Sequence, residues 1–500
     1  MSAQSAGGQG QVTTDIPARM DRLPWVGWHW KIVAALGITW ILDGLEVTIV
    51  GSLGPRLEQS NTLHLTAGQF GLTATFYLAG AILGALVFGF LTDKLGRKKL
   101  FMVTLAWYTV FTVLSALSVN FLMLAAFRFL TGMGIGGEYS AINSAIDELI
   151  PARRRGQTDL SINSSYWLGT ILASLISLLF LNERLFPADL GWRLCFVLGM
   201  VIALAVLWIR KTVPESPRWL MTHGRTDEAE ETVRGIEEIV ERQSGKPLPA
   251  ASDEKVTIDT GRRSSTKGIF IDVIGTMVRT YPSRTFLALS LMITQAFLYN
   301  AIFFTEALVL NTYFKVSSSV VGLYIIPFAL GNLVGPWLLG HLFDTVGRKA
   351  MIAGTYILSG LLLAGTAFLF SQGVLNATTI TICWSITFFF ASAGASAAYL
   401  TASEVFPMEI RANAISVAYA ASEVAGAVAV AIFAAIVGSH SVHNLTVAYL
   451  IGAALMIVGG LVEIGFGVSA EGRSLESVAS PLSALRVEAS PGPANGRQPA

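Results

Sequence analysis

The sequence predicts an all-α integral membrane protein in which twelve transmembrane helices form two six-helix, pseudo-symmetric halves. Three observations lead to this fold class. First, 53% of the 500 residues are hydrophobic and only 13% are charged, compared with roughly 25% charged residues in soluble domains. Second, apolar runs long enough to cross a bilayer recur along the chain. Third, two short motifs of the first half return in the second half in the same order.

The apolar runs number twelve when the window is about 20 residues, the helix length that crosses roughly 30 Å of hydrocarbon. They lie at residues 30–53, 68–91, 100–119, 122–147, 160–181, 192–210, 285–311, 321–342, 351–371, 378–402, 412–437 and 445–468. The even-numbered loops hold ten Lys and Arg residues without the long central loop, and the odd-numbered loops hold four. Because Lys and Arg accumulate in cytoplasmic loops, we expect both termini in the cytoplasm and the protein in the cell inner (plasma) membrane.

The repeated motifs indicate that one six-helix unit is used twice. GFLTDKLGRKK at 89–99 matches GHLFDTVGRKA at 340–350, an offset of 251 residues. ELIPARRRG at 148–156 matches EVFPMEIRA at 404–412, an offset of 256 residues. Two matches in the same order at nearly one offset are typical of transporters built from structural repeats.

The segments outside the apolar runs are polar. The predicted domains are a disordered cytoplasmic tail at 1–24, an N-terminal half at 25–210, a cytoplasmic linker with short helices at 211–284, a C-terminal half at 285–468 and a cytoplasmic tail at 469–500. The linker contains one amphipathic helical stripe, which Thr226 or Asp227 can cap. Its apolar members are Ala229, Val233, Ile236 and Val240.

The motif Gly89-x3-Asp93-x2-Gly96-Arg97-Lys98 and its copy resemble the signature loop of the major facilitator superfamily (MFS). The spacing Glu-x6-Arg in both halves, PESPRWL at 214–220 and EGRSLES at 471–477 resemble the sugar-porter-like branch, although Val468 replaces its usual proline. The resemblance implies the MFS fold and a cytoplasmic gate that holds the halves together while the cavity opens outward. Its residues here are Asp93, Arg97, Glu148, Arg155, Glu215, Arg218, Asp344, Arg348, Glu404 and Arg411.

The gate residues also allow a simpler interpretation, in which they are only topology signals and helix caps. Basic residues alone fit that alternative. Acid and base at fixed spacing in both halves favour a conformational latch, because charge pairs at facing helix ends gain strength where water is excluded.

The first apolar run contains Asp43 and Glu46, and the fourth contains Arg128. An ionised group at the bilayer centre costs at least about 2.5–3.5 kcal/mol, so these residues are expected to face a cavity. Asp43 and Glu46, three residues apart, share one helical face. In proton-coupled members of the resembled branch an aspartate of the first helix pairs with an arginine of the fourth, which implies a proton-sensitive pair of Asp43 and Arg128. A permanent structural ion pair is the alternative, and Glu46 is either a second proton site or a polar contact to substrate.

DGLE at 43–46 resembles the DG-x-D element of aromatic-acid and related metabolite symporters, with Glu46 for the second aspartate. GGEY at 136–139 resembles niacin-transporter-like and synaptic-vesicle-glycoprotein-like members. The sugar-porter pattern fails at its substrate contacts, since the paired glutamines of the seventh span become TQAFLYN and the tryptophan of the tenth becomes Tyr399.

The predicted substrate contacts combine aromatic rings, a few amides and charged groups. They are Arg128, Glu138, Asn163, Tyr166, Trp167, Gln295, Tyr299, Asn300, Asn332, Tyr399 and Glu423. A hexose needs a dense set of amide partners, whereas aromatic faces with one arginine suit a carboxylate on a flat body. The predicted function is therefore proton-coupled symport of a small organic acid or an aromatic, nicotinate-like metabolite. A proton-coupled sugar or polyol transporter is the runner-up.

Other classes of function have little support in the sequence. The chain has no phosphate-binding loop, no HExxH spacing and no Cys/His nucleophile pair, so an enzyme is not expected. Neither a cofactor nor a metal site is expected, and a net charge of +1 argues against a nucleic-acid partner. The expected partners are a small-molecule substrate, a proton and the lipid bilayer, with the protein as a monomer. A non-transporting membrane receptor is the alternative of another class.

Overall fold

The computed structural model describes residues 11–210, 213–251, 255–259, 271–316 and 320–482. The chain begins with strand β1 (Gln11–Thr14) and helix α1 (Ile16–Asp21). Six long helices then form the first half. They are α2 (Gly27–Leu57), α3 (Ala67–Leu95), α4 (Arg97–Ala116), α5 (Phe121–Leu149), α6 (Arg155–Phe180) and α7 (Ala188–Arg210).

The linker between the halves contains short elements, and the second half follows it. The linker elements are α8 (Pro217–Thr222), α9 (Thr226–Ser244), β2 (Val256–Asp259) and α10 (Ile271–Thr280). The second half contains α11 (Pro282–Phe303), α12 (Glu306–Phe314), α13 (Gly322–Thr345), α14 (Arg348–Ser371), α15 (Ala377–Glu404), α16 (Arg411–Gly438) and α17 (Val442–Phe466). A last short helix is α18 (Leu475–Val478).

Ten of the helices in the described part of the chain are long and apolar enough to cross a membrane. The two remaining long helices complete the predicted twelve spans, with α11 and α12 together forming the seventh. These two helices are α5, which carries Arg128 and Glu138 in its middle, and α7, which ends at Arg210, the last residue of the first described range.

The two halves meet through equivalent helices. Helix α6 of the first half packs along α13 of the second, and α3 packs along α16. The glycine of the repeated motif permits one of these approaches, since a Cβ atom on Gly89 would clash with the Ser416 hydroxyl oxygen. The motif glycines Gly96 and Gly347 both have positive φ, +103° and +119°, in the tight turns before α4 and α14.

The predicted disordered tail at 1–24 is wrong for the residues that the structure describes. Strand β1 pairs antiparallel with β2 of the linker, from Gln11 opposite Asp259 to Thr14 opposite Val256. Helix α1 and the following turn bury Ile16, Met20 and Leu23 in the main apolar core. The prediction of disorder came from the Gly, Ser and Gln of the first ten residues, whereas the ordered part depends on the spaced apolar side chains that follow them. Residues 1–10, and residues 483–500 of the predicted C-terminal tail, lie outside the described part of the chain.

The linker helix α9 buries Ala229, Val233, Ile236 and Val240, as the amphipathic stripe predicts. The predicted cap is wrong, because α9 begins at Thr226 behind Arg225 without a side-chain cap. The seventh span also differs from the single helix predicted at 285–311. It breaks between α11 and α12, where the Thr305 hydroxyl donates to the Ala301 carbonyl and the Thr305 amide bonds to Ile302 in a tighter turn.

Candidate functional site

A central cavity of about 160 Å³ lies between the two halves. Both halves contribute to its wall, and aromatic rings dominate it. The principal lining side chains are Trp40, Tyr77, Tyr139, Asn163, Tyr166, Trp167, Gln295, Tyr299, Asn300, Phe303, Ser392, Ser396, Tyr399, Tyr419 and Glu423. The mostly apolar wall suits a small ligand held by a few polar groups.

Eight of the predicted substrate contacts line this cavity. They are Asn163, Tyr166, Trp167, Gln295, Tyr299, Asn300, Tyr399 and Glu423. Glu423 is the charged side chain among the described lining residues, and it comes from α16.

Three predicted contacts, Arg128, Glu138 and Asn332, lie behind the wall instead. Asn332 is fully buried and accepts a hydrogen bond from the Tyr299 hydroxyl at 2.7 Å, so it positions a lining residue. Glu138 is fully buried in α5, whereas its neighbour Tyr139 reaches the cavity. Helical periodicity turns adjacent side chains to different directions, which explains why GGEY places its tyrosine rather than its glutamate in the wall.

Six wall aromatics were not predicted from the sequence: Trp40, Tyr77, Tyr139, Phe303, Phe304 and Tyr419. Tyr139 stacks on Tyr419 across the halves with ring centroids 4.3 Å apart, and Trp40 meets the edge of Tyr139 at 4.6 Å. Trp40 precedes Asp43 by three residues and therefore shares its helical face. That spacing is the sequence signal that could have identified it.

The buried charge pair of the first half joins Glu46 to Arg128. Arg128 Nη1 contacts Glu46 Oε1, and the Arg128 and Glu46 side chains are 2% and 3% exposed. The predicted partner was Asp43, one turn earlier on α2, so that assignment is corrected to Glu46. The guanidinium also stacks over the Tyr77 ring at 4.4 Å, which places this ring between the ion pair and the cavity.

Asp43 is buried next to this pair. Its carboxylate acts electrostatically on Tyr77, Tyr139 and Tyr166, all of which line the cavity. Both predicted acids of α2 therefore lie immediately behind the cavity wall rather than towards lipid. This agrees with the rule that ionisable side chains in membrane helices face the protein interior.

A charged network joins the halves on one face, formed by the loops after α3, α5, α13 and α15 and called here the basic face. Asp344 of the second half accepts hydrogen bonds from the backbone amides of Gly156 and Gln157, at 3.1 and 2.7 Å. These amides begin α6 of the first half, where the helix dipole favours a negative charge. Arg348 Nη1 donates to the same carboxylate at 2.6 Å.

Two further ion pairs cross between the halves. Arg155 Nη1 of the first half lies 3.5 Å from Glu404 Oε1, and Arg411 Nη1 of the second lies 3.7 Å from Glu148 Oε1. Within the halves, Arg97 Nη2 reaches Glu148 at 3.2 Å and Arg348 Nε reaches Glu404 at 3.2 Å. We call this network the latch; its members are Glu148, Arg155, Asp344, Arg348, Glu404 and Arg411. The side chain of Asp93, the copy of Asp344, lies outside the described residues.

The motifs PESPRWL and EGRSLES cap equivalent helices. Glu215 accepts from the Arg97 amide at 3.0 Å at the start of α4, and Glu471 accepts from the Arg348 amide at 3.2 Å at the start of α14. Burial raises the pKa of Glu215, against the amides of Ser216 and Lys98 that lower it. Glu471 was not predicted as a site residue, although it follows Glu215 by the same 256 residues as the second repeat.

Arg218 connects this cap region to the end of the chain. It donates to Glu476 at 2.9 Å and to the Glu148 carbonyl at 2.9 Å. Burial opposes the charge on Arg218, but the negative charges of Glu476 and Asp21 outweigh it and raise its pKa. Glu476 and Asp21 are thus members of the gate region that the sequence did not identify, because both lie in segments predicted as tails.

The geometry can close the cavity from the basic face while leaving its contents buried among aromatic rings. Opening on that face requires the latch pairs between the halves to separate. The two halves would then rock about the cavity, as alternating access requires.

Comparison with known proteins agrees with this architecture. The sequence model of a family described as "Sugar (and other) transporter" matches residues 24–481. The niacin transporter NiaP of Acinetobacter baylyi is 28% identical over 475 residues, which cover 93% of this chain and 99% of that protein. The putative metabolite transport protein YdjK of Escherichia coli is 30% identical over 482 residues, covering 93% of this chain and 98% of that protein.

In fold, the chain is similar to the proton:xylose symporter XylE of Escherichia coli bound to 6-bromo-6-deoxy-D-glucose. The TM-score is 0.74 at 21% identity, with 90% of this chain and 98% of that chain covered.

Proposed function

Because this chain belongs to the sugar (and other) transporter family of the major facilitator superfamily, we propose that it is a proton-coupled symporter of a small organic acid with a flat body. The chain is a membrane transporter and not an enzyme. The observation that carries the substrate and coupling proposal is the buried pair of Glu46 and Arg128, separated from the cavity by the Tyr77 ring.

The cavity wall supports a flat substrate. Aromatic rings offer stacking faces from both halves, and the polar groups among them are few. Asn163, Gln295 and Asn300 are the lining amides among the described residues, which is sparse for a sugar that presents a hydroxyl on most ring atoms. The same wall fits an aromatic or nicotinate-like acid, whose body stacks and whose carboxylate seeks one cation.

The ion pair supports a coupling step. While Glu46 is ionised, its carboxylate compensates the buried guanidinium of Arg128. A proton on Glu46 removes that compensation, and an uncompensated buried charge costs several kcal/mol. The guanidinium then lacks an anionic partner, and the carboxylate of a substrate bound in the cavity, on the other side of the Tyr77 ring, can replace it. Proton and anionic substrate thereby favour each other's binding.

The cytoplasmic side is proposed to be the basic face, which puts both termini inside the cell and the chain in the inner (plasma) membrane as a monomer. The excess of Lys and Arg in the loops of this face supports the orientation. The latch then closes the cavity from the cytoplasm in the structure described, and loaded protein opens by separating it.

Two steps test the proposal. Purified protein is screened by thermal shift against nicotinate, benzoate, D-xylose and choline, because a ligand of the folded state raises the unfolding temperature. Each stabilising compound is then followed into proteoliposomes with and without an imposed pH gradient. We expect Glu46→Gln to retain exchange of an acid substrate without a gradient and to lose gradient-driven accumulation.

Asp43→Asn is the matched control, since it neutralises a neighbouring buried acid on the same helix. Loss of accumulation in Asp43→Asn with normal accumulation in Glu46→Gln would transfer the coupling role to Asp43. Binding without any transport in the wild type would instead favour a receptor.

A second candidate substrate class, a small organic cation, is favoured by Glu423. This carboxylate lines the cavity among aromatic faces, and such a cage attracts quaternary ammonium groups through cation–π contacts. Glu423→Gln separates the two classes. If the substrate is a cation, this variant should abolish the rise in unfolding temperature caused by choline. If the substrate is an acid, the rise caused by nicotinate should stay within a factor of about three of the wild-type value.

A further inference from the structure

A second pair of buried acids, Asp147 on α5 and Asp159 on α6, lies between the cavity and the latch. Both side chains are 0% exposed. Asp159 Oδ2 accepts a hydrogen bond from Asn163 Nδ2 at 2.9 Å, and Asn163 lines the cavity. On its other side, Asp147 acts electrostatically on Asp159, while Asp147 itself faces Arg155, Arg411 and Glu404. The pair thus connects the cavity wall to the latch.

Three oxygen atoms of this pair have no hydrogen-bond partner: both carboxylate oxygens of Asp147 and Asp159 Oδ1. Ser403 lies beside Asp147, but its hydroxyl donates to the Leu400 carbonyl at 2.8 Å. The Asn163 carbonyl oxygen, whose amide points into the pair, is also buried and unpartnered. Buried carboxylates with empty acceptor positions are costly when ionised and tolerable when protonated.

The cations around the pair are already balanced. Arg348 faces Glu404 and Asp344, Arg155 faces Glu404 and Asp21, and Arg411 faces Glu148. The groups that face Asp147 are Arg155, Asp159, Glu404 and Arg411, and those that face Asp159 are Asp147, Arg348 and Glu404. Ionising both aspartates would therefore add negative charge to a buried network whose guanidiniums each face a carboxylate already.

We propose that Asp147 and Asp159 form a second proton site, which holds a proton while the basic face is closed and releases it when the latch opens. This inference rests on the proposed proton coupling and extends it to the cytoplasmic side of the cycle. On opening, water reaches the pair; the O–H bond of the carboxylic acid breaks, the proton passes to water, and the electron pair stays on the carboxylate. Hydration then stabilises the charge that burial had opposed.

The consequence is that pH sets the position of the latch even without substrate. Raising the pH favours the ionised aspartates and hence the hydrated, open state. For each proton released on opening, the ratio of open to closed molecules rises by up to about tenfold per pH unit. The double variant Asp147→Asn/Asp159→Asn, which mimics the protonated pair, should stay closed throughout.

The experiment measures the separation of the halves directly. Nitroxide labels are placed at Arg153→Cys and Thr345→Cys, both exposed on the basic face of opposite halves, in a Cys195→Ala/Cys383→Ala background. The distance between the two labels is measured by double electron–electron resonance in lipid nanodiscs from pH 5 to pH 8 without ligand. The wild-type background should gain a longer distance as pH rises, and the double variant should show one pH-independent short distance.

A control variant makes the outcome decisive: Asp227→Asn, an exposed aspartate on α9, should keep the wild-type response. Failure of this inference is distinguishable from failure of the proposed coupling site, because these distances are recorded without substrate, whereas gradient-driven accumulation by Glu46→Gln tests the coupling site. A wild-type distance that is the same at every pH, or an undiminished response in the double variant, overturns the proposal. If the double variant does not fold, infrared titration of the wild type and Asp159→Asn decides: the carbonyl band of a protonated carboxyl group must weaken in the variant.

Discussion

Glu46 and Arg128 use only part of each other's hydrogen-bonding capacity, and this residue-level property fits the proposed proton switch. Glu46 Oε2 and Arg128 Nε are buried without a hydrogen-bond partner, while Nη1 and Oε1 are paired. Each group therefore keeps one position that a proton or a substrate atom can occupy. A fully satisfied pair would hold one state, since every new contact would first have to break an existing one.

Removing the charge of Arg128 should reveal how much the unpaired, buried Glu46 carboxylate destabilises the fold. We expect Arg128→Gln to lower the free energy of unfolding by about 3–5 kcal/mol at pH 8, because Glu46 is left as an unpaired buried charge. The deficit should shrink at pH 5, where protonation neutralises Glu46, and the double variant Arg128→Gln/Glu46→Gln should recover most of it at pH 8. Thermal unfolding of the detergent-solubilised protein at the two pH values measures this. A deficit in Arg128→Gln that is equal at both pH values would contradict the role of Glu46.

The sequence located these charges but not their pairing. Asp43 and Glu46 lie on one helical face, and hydropathy marks both as exceptional. Which of them meets Arg128 depends on one methylene group and on the approach of α5 to α2, and neither appears in a pattern of residue types. The wall aromatics Tyr77 and Tyr419 were missed for a related reason, since a tyrosine in a membrane helix is equally typical of packing and of an interface.

At the scale of elements, α1 fastens the N-terminal segment to the linker helix α9. Arg19 binds Glu230 through Nη1 at 2.7 Å and Glu237 through Nη2 at 2.6 Å, and Arg22 binds Glu237 at 2.5 Å. Asp21 of the same helix accepts from the Ala152 amide at 3.1 Å and lies 3.5 Å from Arg155 of the latch. The segment therefore bridges the linker and the first half on the basic face.

Arg19→Ala should loosen this segment. Loss of two charge-assisted contacts is expected to speed hydrogen exchange of residues 11–24 by roughly tenfold or more, equivalent to about 1.4 kcal/mol of opening free energy. Hydrogen-exchange mass spectrometry at pH 7 measures the effect. Arg225→Ala is the matched control. It breaks an exposed ion pair with Glu228 of α9 and should leave the hydrogen exchange of residues 11–24 unchanged.

Acid should release the same segment. Burial raises the pKa of Glu237, but its hydrogen bonds from Arg19 and Arg22 outweigh burial and hold the pKa below its ordinary value of about 4.3. A lowered folded-state pKa stabilises docking above the ordinary value, and this contribution disappears as the pH falls through the lowered one. A nitroxide at Thr13→Cys should become more mobile only below about pH 4. Mobility that is already high at pH 7 would argue against docking.

The elements that sequence reasoning found are those with a strong period. The stripe of Ala229 and Val233 defines α9, and uninterrupted apolar runs define the membrane helices. Helix α1 was not predicted, because six residues are too few to show a hydrophobic period. Its stability comes from burying Ile16 and Met20 against elements far along the chain. The break before α12 was not predicted, because it depends on a local hydrogen bond from the Thr305 hydroxyl to the Ala301 carbonyl.

At the scale of the whole molecule, the internal repeat gives the latch equivalent contacts from both halves. Glu148 and Glu404 face arginines of the opposite half, and Glu215 and Glu471 cap equivalent helices. The repeat was visible in the sequence, and it predicted both the duplicated fold and the positions of all six latch residues. The contributions of Asp21, Glu471 and Glu476 were not visible, because contacts between the tails and the latch exist only after the halves assemble.

The latch should set the resting position of the halves, and Asp344 is its most direct test. Its carboxylate accepts two backbone amides of α6 across the interface, and hydrogen bonds to a charged group contribute about 1.5–3 kcal/mol each. Asp344→Ala should therefore shift the closed-to-open equilibrium towards open by at least about tenfold. The internal repeat predicts the same direction for Asp93→Ala.

Labelling of a cysteine in the cavity reports this shift. Ser396→Cys lines the cavity, and in a Cys195→Ala/Cys383→Ala background it reacts with a membrane-impermeant maleimide only when the basic face opens. In inside-out vesicles, Asp344→Ala should raise the labelling rate by about the same factor as the open population. Asp227→Ala, an exposed aspartate outside the latch, should leave the rate unchanged. An unchanged rate in Asp344→Ala would mean that packing of α6 against α13, rather than charge, holds the halves closed.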